Sequence, residues 1–436
     1  MPRLKIHDGL LSLSPIIVLL TIYLAGSIVA GDFYRIPITV AFMVASIYAI
    51  AISRGETLNN RIDKFSGGAA NPRIMYMIWI FVLAGAFAAL AKAMGAVDAT
   101  VQLTLNFIPS NYLPAGIFIA ACFISMSIGT SVGTIVALTP IVTELATQMN
   151  CSIAWLVAIV VGGAFFGDNL SFISDTTIAA TQTQGCSMRS KFRTNIVLVM
   201  PAAVVTLLLY AFSGNGIEEI ETAPITIDNA LKCIPYLTVI ICALVGMNVL
   251  VVLITGIVIT GAMGVIFGTV DCIGIFTEMG NGITGMTELI VVTMLAGGLL
   301  EIVRINGGID YLIRLVTQRM RTRRAAEFSI AALTALANIC TANNTIAILT
   351  VGDISRDISK RFGISPKRTA SLMDTTSCFI QGVIPYGAQL LMASGLAKIS
   401  PIAIIPNLYY PMLIGATIIV SIIVKSKKKI QEAPKA

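Results

Sequence analysis

Two runs of carboxylate, hydroxyl and amide side chains interrupt otherwise apolar stretches of this sequence. The longer is Gly167-Asp168-Asn169-Leu170-Ser171-Phe172-Ile173-Ser174-Asp175-Thr176-Thr177, and a shorter one is Asp374-Thr375-Thr376-Ser377. A carboxylate among hydroxyls holds a small hard cation when ionised and a proton otherwise, so the two ions compete for one group. A carboxylate placed in hydrocarbon costs about 2.5–3.5 kcal/mol. Asp168, Asp175 and Asp374 must therefore face a cavity or a basic partner such as Lys92 or Arg304.

A second kind of polar cluster, Ser125 to Thr134, is answered by Asn338 to Thr345. Gly129, Thr130, Ser131 and Thr134 in one, and Thr341, Asn343, Asn344 and Thr345 in the other, are residue types that unwind a helical turn and free carbonyls and hydroxyls at mid-bilayer. Asp175, Ser174, Thr176, Thr130 and Asn343 together form a candidate Na+ shell, with Asp168, Asn169, Ser171 and Thr177 as further candidates. The competing reading is helix association through hydroxyl hydrogen bonds. Glu301 and Arg304 are spaced to pair with each other on one helix face.

Other chemistries are poorly served. His7, the sole histidine, lies in the N-terminal tail, which removes imidazole metal sites and Ser-His-Asp catalysis. Gly129-Thr130-Ser131-Val132-Gly133 matches a nucleophile pattern but has no base. No phosphate-binding loop is present. The eight cysteines form no C-x-x-C pair and read as small core residues, so no resident cofactor is expected.

The elements that must position these residues follow from composition. Of 436 residues, 56% are apolar and 12% charged, about half the charge of a soluble domain, so the chain cannot cover a water-facing surface. Its apolar runs approach the ~20 residues that span hydrocarbon, and barrel-type alternation is missing. The net charge of +7 sits in short loops, where it signals orientation and not nucleic acid.

The basic loops are Arg54/Arg61/Lys64/Arg73, Arg189/Lys191/Arg193, Arg314/Arg319/Arg321/Arg323/Arg324, Lys360/Arg361/Lys367/Arg368 and Lys425/Lys427/Lys428/Lys429. The positive-inside rule places them in the cytoplasm, and the acidic segments Glu218 to Asp228 and Asp271 to Glu288 outside. Uncleaved Leu10 to Ala30 and Ile36 to Ile52 come first. Then Ile74 to Val97 goes out, Leu113 to Met149 turns back on itself, Ile153 to Gln184 comes in and Asn195 to Phe212 goes out. Pro235 to Val270 makes an apolar hairpin, Leu289 to Ile305 comes in, Ala326 to Ser355 turns back, Thr369 to Ser394 goes out and Ile402 to Val424 comes in. Both termini are cytoplasmic on this path.

The sequence also repeats itself. Leu83-Ala84-Gly85, Lys92, Gly95 and Asp98 recur as Leu295-Ala296-Gly297, Arg304, Gly307 and Asp310, a spacing of 212 (295 − 83). Thr130, Thr134, Ile135, Leu138 and Thr139 match Thr341, Thr345, Ile346, Leu349 and Thr350 at 211 (341 − 130), and Asp168 and Ser171 match Asp374 and Ser377 at 206 (374 − 168). The charge argument sends Ile74 to Val97 and Leu289 to Ile305 in opposite directions, so the halves are expected to be inverted, as in secondary transporters with alternating access.

At Gly129-Thr130-Ser131 and Gly167 to Thr177 the sequence resembles the NhaC family of Na+/H+ antiporters, in the ion transporter superfamily, over about residues 74 to 424. Phe172 departs from the family string, which has proline there. The resemblance implies a cation-coupled carrier with interrupted-helix repeats, and relatives that exchange Na+ for H+ or carry organic acids or amino acids.

These readings converge on an all-α polytopic membrane protein of two inverted-topology repeats, with interrupted helices or re-entrant hairpins and about 12–14 membrane segments. Its expected parts are 1–73 (N-terminal spans and loop), 74–214 (repeat 1), 215–288 (linker and hairpin), 289–424 (repeat 2) and 425–436 (basic tail). The expected function is Na+/H+ antiport at the cell membrane; the alternative is Na+- or H+-coupled transport of an amino acid or organic acid. Asn343, Asn344 and the segment from Gly129 to Gly133 would then cradle the larger solute. Glycines 246, 256, 261, 264 and 268 suit either a homodimer surface or packing within one copy.

Overall fold

The computed structural model describes residues 6–25, 37–53, 57–171, 174–213, 226–317 and 320–425, and the regular structure among them is helical throughout. Phe172, the acidic run at Glu218 to Glu221, Arg54, Arg319 and the last basic tail fall outside the described residues.

Helices α1 (Ile6–Leu20), α2 (Ile38–Ile52) and α3 (Leu58–Ala69) precede α4 (Pro72–Met94), which begins on proline and stops at Gly95, where φ is +84°. Helix α5 (Ala96–Phe107) follows, then α6 (Leu113–Ile128), α7 (Ser131–Gln148), α8 (Ile153–Leu170), α9 (Asp175–Gln184) and α10 (Met188–Ser213). A connecting group comprises α11 (Ile227–Lys232), α12 (Ile234–Leu244), α13 (Val249–Ile266) and α14 (Cys272–Gly285). The second series is α15 (Thr287–Ile305), α16 (Gly308–Thr317), α17 (Arg323–Thr341), α18 (Asn344–Arg361), α19 (Pro366–Val383), α20 (Ala388–Ala397), α21 (Pro401–Ile404) and α22 (Tyr409–Lys425).

Ile74–Met94, Ile153–Gln184, Met188–Ser213 and Val249–Ile266 are long and apolar enough to cross a membrane. Cys272–Gly285 with Thr287–Ile305, and Pro366–Ala397 with Pro401–Asn407, pass the same test as pairs bent by 42° and 101°. The outward faces of α10 and α13 carry exposed Val197, Val204, Leu208, Phe212, Val251, Ile254 and Val258. Such a surface belongs against lipid tails.

The two series share their breaks at one spacing. Helices α7, α8 and α9 start and end 213 residues before α18, α19 and α20 (344 − 131 = 213), and α6 and α17 end at the same interval. The turns agree as well: Asn150 and Gly363, and Gly185 and Lys398, are paired positive-φ residues. So do two side-chain bonds, Ser125 Oγ to the Ala164 carbonyl (2.6 Å) and Asn338 Nδ2 to the Ser377 carbonyl (2.7 Å).

This register revises two of the sequence matches. Gly95 and Gly307 keep the spacing of 212, but Thr130 stands opposite Asn343, not Thr341, and Asp168 opposite Gln381, not Asp374. The reason is that a break needs a left-handed cap followed by an extended residue. Gly129 (φ +75°) with Thr130, and Ala342 (φ +48°) with Asn343, both provide it with different side chains. Matching side chains by type therefore slipped the alignment.

Each break turns its hairpin around. A short turn joins α7 to α8, and Ser131 at the start of α7 meets Asp168 near the end of α8, so these two are antiparallel. Helix α6 runs parallel to α8, because Gly163 lies against Phe118 and Ala121 and Gly167 against Ser125. No β-carbon fits at Gly163 or Gly167, where α6 comes closest. In the second series Glu327 and Asn338 of α17, and Ala342 just beyond its end, meet Arg368, Ser377 and Gln381 of α19 in the same parallel order.

Two residues counted as loop charges lie inside the protein. Lys191 is 1% exposed and paired with Asp374, and Arg368 is buried against Glu327 at 2.9 Å. Lys92 and Arg304, the basic partners expected for the aspartates, pair instead with Glu144 (3.6 Å) and Glu301 (2.5 Å). Gly256 packs on Phe87 and Val239 and Gly261 on Ile275, all within one copy.

Candidate functional site

Four half-helices begin around one cavity of about 570 Å³: α7 at Ser131, α9 at Asp175, α18 at Asn344 and α20 at Ala388. Helix N-termini present unpaired N–H groups and positive dipole ends. Such ends attract a nearby carboxylate or other anion.

Asp168, on the last turn of α8, is 4% exposed, and its Oδ1 accepts a hydrogen bond from the Ser131 backbone N–H at 3.1 Å. The hydroxyl of Ser131 accepts from Gln389 Nε2 at 3.0 Å, and Gln389 Oε1 accepts from Gln381 Nε2, also at 3.0 Å. Gln381 Nε2 donates as well to the Ala342 carbonyl at 3.0 Å. One hydrogen-bonded chain thus runs from the carboxylate in the first series to the break in the second. The two glutamines were not among the residues singled out from sequence. Their signal is positional: Gln381 sits 213 residues after Asp168 (381 − 168).

Ten of the expected site residues line this cavity: Gly129, Thr130, Ser131, Asp168, Ser174, Asp175, Thr176, Asn343, Asn344 and Thr345. Asp175 is exposed in its wall, and Ser174 Oγ lies 2.9 Å from Thr176 Oγ1. Asn343 Oδ1 caps α18 by accepting from the Ile346 N–H at 2.9 Å. Carboxylate, hydroxyl and amide oxygens on both sides of the cavity are a donor set for a small hard cation.

The other expected residues do different work. Thr134 bonds back to the Thr130 carbonyl (3.3 Å). Asn169 Nδ2 donates to Tyr410 Oη (3.1 Å) and the Phe165 carbonyl, fixing α8 to α22. Ser171 caps α8 through its own N–H to the Gly167 carbonyl. Thr341 opens onto a separate cavity of about 370 Å³ that also holds Glu301 and Arg304. Thr375 and Ser377 bond to carbonyls of their own helix at Ser371 and Asp374, and Thr376 is buried in the same stretch.

Asp374 and Thr177 belong to a buried cluster behind the cavity. The Lys191 ammonium donates to Asp374 Oδ2 (2.7 Å), Thr177 Oγ1 (2.7 Å) and the Asn169 carbonyl (3.1 Å). Asn195 Nδ2 adds bonds to Asp374 Oδ2 (2.8 Å) and the same carbonyl (2.9 Å). Lys191 thereby ties the end of α8 to the start of α9, across the break that carries Asp168 and Asp175. Among the described residues no three His, Cys, Asp or Glu side chains converge on a metal site.

The model of the Na+/H+ antiporter family matches residues 8–215 and 217–426. The chain belongs to the Na+/H+ antiporter family. Among relatives of this antiporter family, the chain is 23% identical to the Na(+)/H(+) antiporter NhaC of Bacillus subtilis, over 74% of this chain and 78% of that one. It is 21% identical to NhaC of Alkalihalophilus pseudofirmus, over 81% and 82%. It is 22% identical to the malate-2H(+)/Na(+)-lactate antiporter of Bacillus subtilis, over 94% of both. Among solved structures, the YdaH transporter of Alcanivorax borkumensis matches 95% of this chain and 97% of that chain at 13% identity, with a TM-score of 0.42. Membership of an antiporter family makes the chain a membrane transporter.

Proposed function

We propose that this protein exchanges Na+ for H+ across the cell membrane, with the Asp168 carboxylate as the group for which the two ions compete. The observation that carries this reading is the placement of a buried, N-terminus-bonded Asp168 in a cavity lined by both helix breaks. Na+ draws on Asp168 and Asp175 for charge and on Ser174, Thr176, Thr130 and Asn343 for neutral oxygens. Proton arrival at Asp168 neutralises the site and releases the cation. Asp374, paired with Lys191, shapes the site from behind and does not exchange ions.

The two series, 74–214 and 289–424, act as inverted halves with both termini in the cytoplasm, and rocking one against the other exposes the cavity alternately. The test is flux in proteoliposomes loaded with a pH dye. Added Na+ dissipates an imposed pH gradient with no organic solute present. Absence of Na+-driven proton movement, together with Na+-dependent uptake of a labelled amino acid or organic acid, overturns this reading.

Exchange of small organic acids is the second reading. A relative that matches 94% of the chain is named for malate and lactate, and four helix N-termini around one cavity suit a carboxylate solute. In that case Na+ and protons drive the solute, and Asn343, Asn344 and Gly129 hold it.

A further inference from the structure

Gln381 stands where the register of the two series places a counterpart of Asp168, two residues before the last residue of the corresponding helix. It is 1% exposed, and it lines the same cavity. Its amide orientation is set by its neighbours: the nitrogen faces two acceptors, the Ala342 carbonyl and Gln389 Oε1, both at 3.0 Å. That leaves Oε1 with no hydrogen-bond partner in the protein. An unpaired amide oxygen this deeply buried costs about 1–3 kcal/mol unless a ligand or water meets it.

We infer that Gln381 Oε1 is a ligand for the transported alkali cation, the neutral oxygen that the second series contributes to a shell whose charge comes from Asp168 in the first. This rests on the cation-exchange reading above and adds a named residue to it. The chemistry is consistent at each atom. Both amide hydrogens are spent on holding the Ala342 break and Gln389, so only the oxygen is free to approach a cation. Gln389 in turn bonds Ser131, whose N–H holds Asp168, so the two ligands are fixed in one hydrogen-bonded frame. The pairing also makes the halves unequal: one counterpart position titrates and the other does not.

Two substitutions separate a ligand from a structural bridge. Gln381→Met fills similar volume without an oxygen, and Gln381→Glu keeps oxygens at the position while losing the amide hydrogens. Both are measured in proteoliposomes for Na+ and Li+ KM, and as purified protein for the rise in Tm on adding NaCl, with choline chloride as control. The ligand role requires that Gln381→Met raise the Na+ KM at least tenfold, change the Na+/Li+ preference and lose the Na+-induced rise in Tm, and that Gln381→Glu hold KM at or below that of the parent. An unchanged KM and preference in the Met variant overturns it. So does a raised KM in the Glu variant, which marks the amide bridge as the only role and decides the matter even if the Met variant does not fold. If the parent moves no protons on Na+ addition but shows the Na+-specific rise in Tm, and Gln381→Met abolishes that rise while Gln381→Glu keeps it, the exchange reading fails and the ligand assignment stands.

Discussion

Asp168 and Asp175 differ in what surrounds them, and so should their variants. Asp168 is buried and bonded to Ser131; Asp175 is exposed in the cavity wall at the start of α9. Asp168→Asn keeps the shape but removes the exchanging charge, so Na+-driven proton movement should fall at least a hundredfold in protein that is still inserted and folded. Asp175→Asn should leave turnover measurable and raise the Na+ KM several-fold, since an exposed group attracts the ion without enclosing it. A dead Asp175→Asn beside an active Asp168→Asn would reverse the two roles. Lys191 calls for a different measurement. Removing one member of a buried ion pair costs about 3–5 kcal/mol, whereas replacing both with apolar groups is often near neutral. Lys191→Met should therefore lower Tm sharply, and Lys191→Met with Asp374→Leu should recover most of the loss. The sequence hid this lysine among Arg189 and Arg193, because a count of charges along the chain cannot tell a loop from the inward face of α10. The sequence marked Asp168, Asp175 and Asp374 because a carboxylate inside an apolar run has few places to go, and its hydroxyl neighbours put Asp175 first for coupling; that Asp168 is the one buried against a helix start shows only in the fold.

The breaks in α6–α7 and α17–α18 are the elements on which the cavity depends. Gly129 takes the left-handed conformation freely, and Ala342 takes it at a cost of about 1 kcal/mol. Gly129→Ala should destabilise by about 1 kcal/mol, while Ala342→Gly should be neutral or stabilising by up to about 1 kcal/mol in thermal or denaturant unfolding. Loss of stability in both would mean that side-chain packing, not backbone conformation, governs these caps. The positions of the breaks could be read from Gly, Ser, Thr and Asn within apolar runs. Their mutual register could not, since Gly129 matches Ala342 and Asp168 matches Gln381 in backbone role and in nothing that a residue-type comparison detects. The glycines at 163 and 167 likewise look like any small residues in a membrane helix until α6 is seen against them.

At the scale of the whole molecule, orientation is the expectation most open to test, and native cysteines report it. Cys151 lies in the turn between α7 and α8 and exposed Cys272 begins α14, both on the side placed outside; Cys186 follows α9 on the side placed in the cytoplasm. An impermeant maleimide added to intact cells should label Cys272 and, more slowly, half-buried Cys151, and reach Cys186 only after permeabilisation. Labelling of Cys186 from outside, with Cys272 protected, would turn the whole arrangement over. The cavity itself sets how an ion must enter. At about 570 Å³ it is far too roomy to act as a sieve for a bare alkali ion, and it has space for an ion together with several waters. Size exclusion is therefore not available as a means of choosing between ions. Discrimination has to come at the final stripping of the hydration shell, and the same spare room leaves the pathway open to blockade by a bulky organic amine that can lodge beside Asp168 yet cannot be carried across.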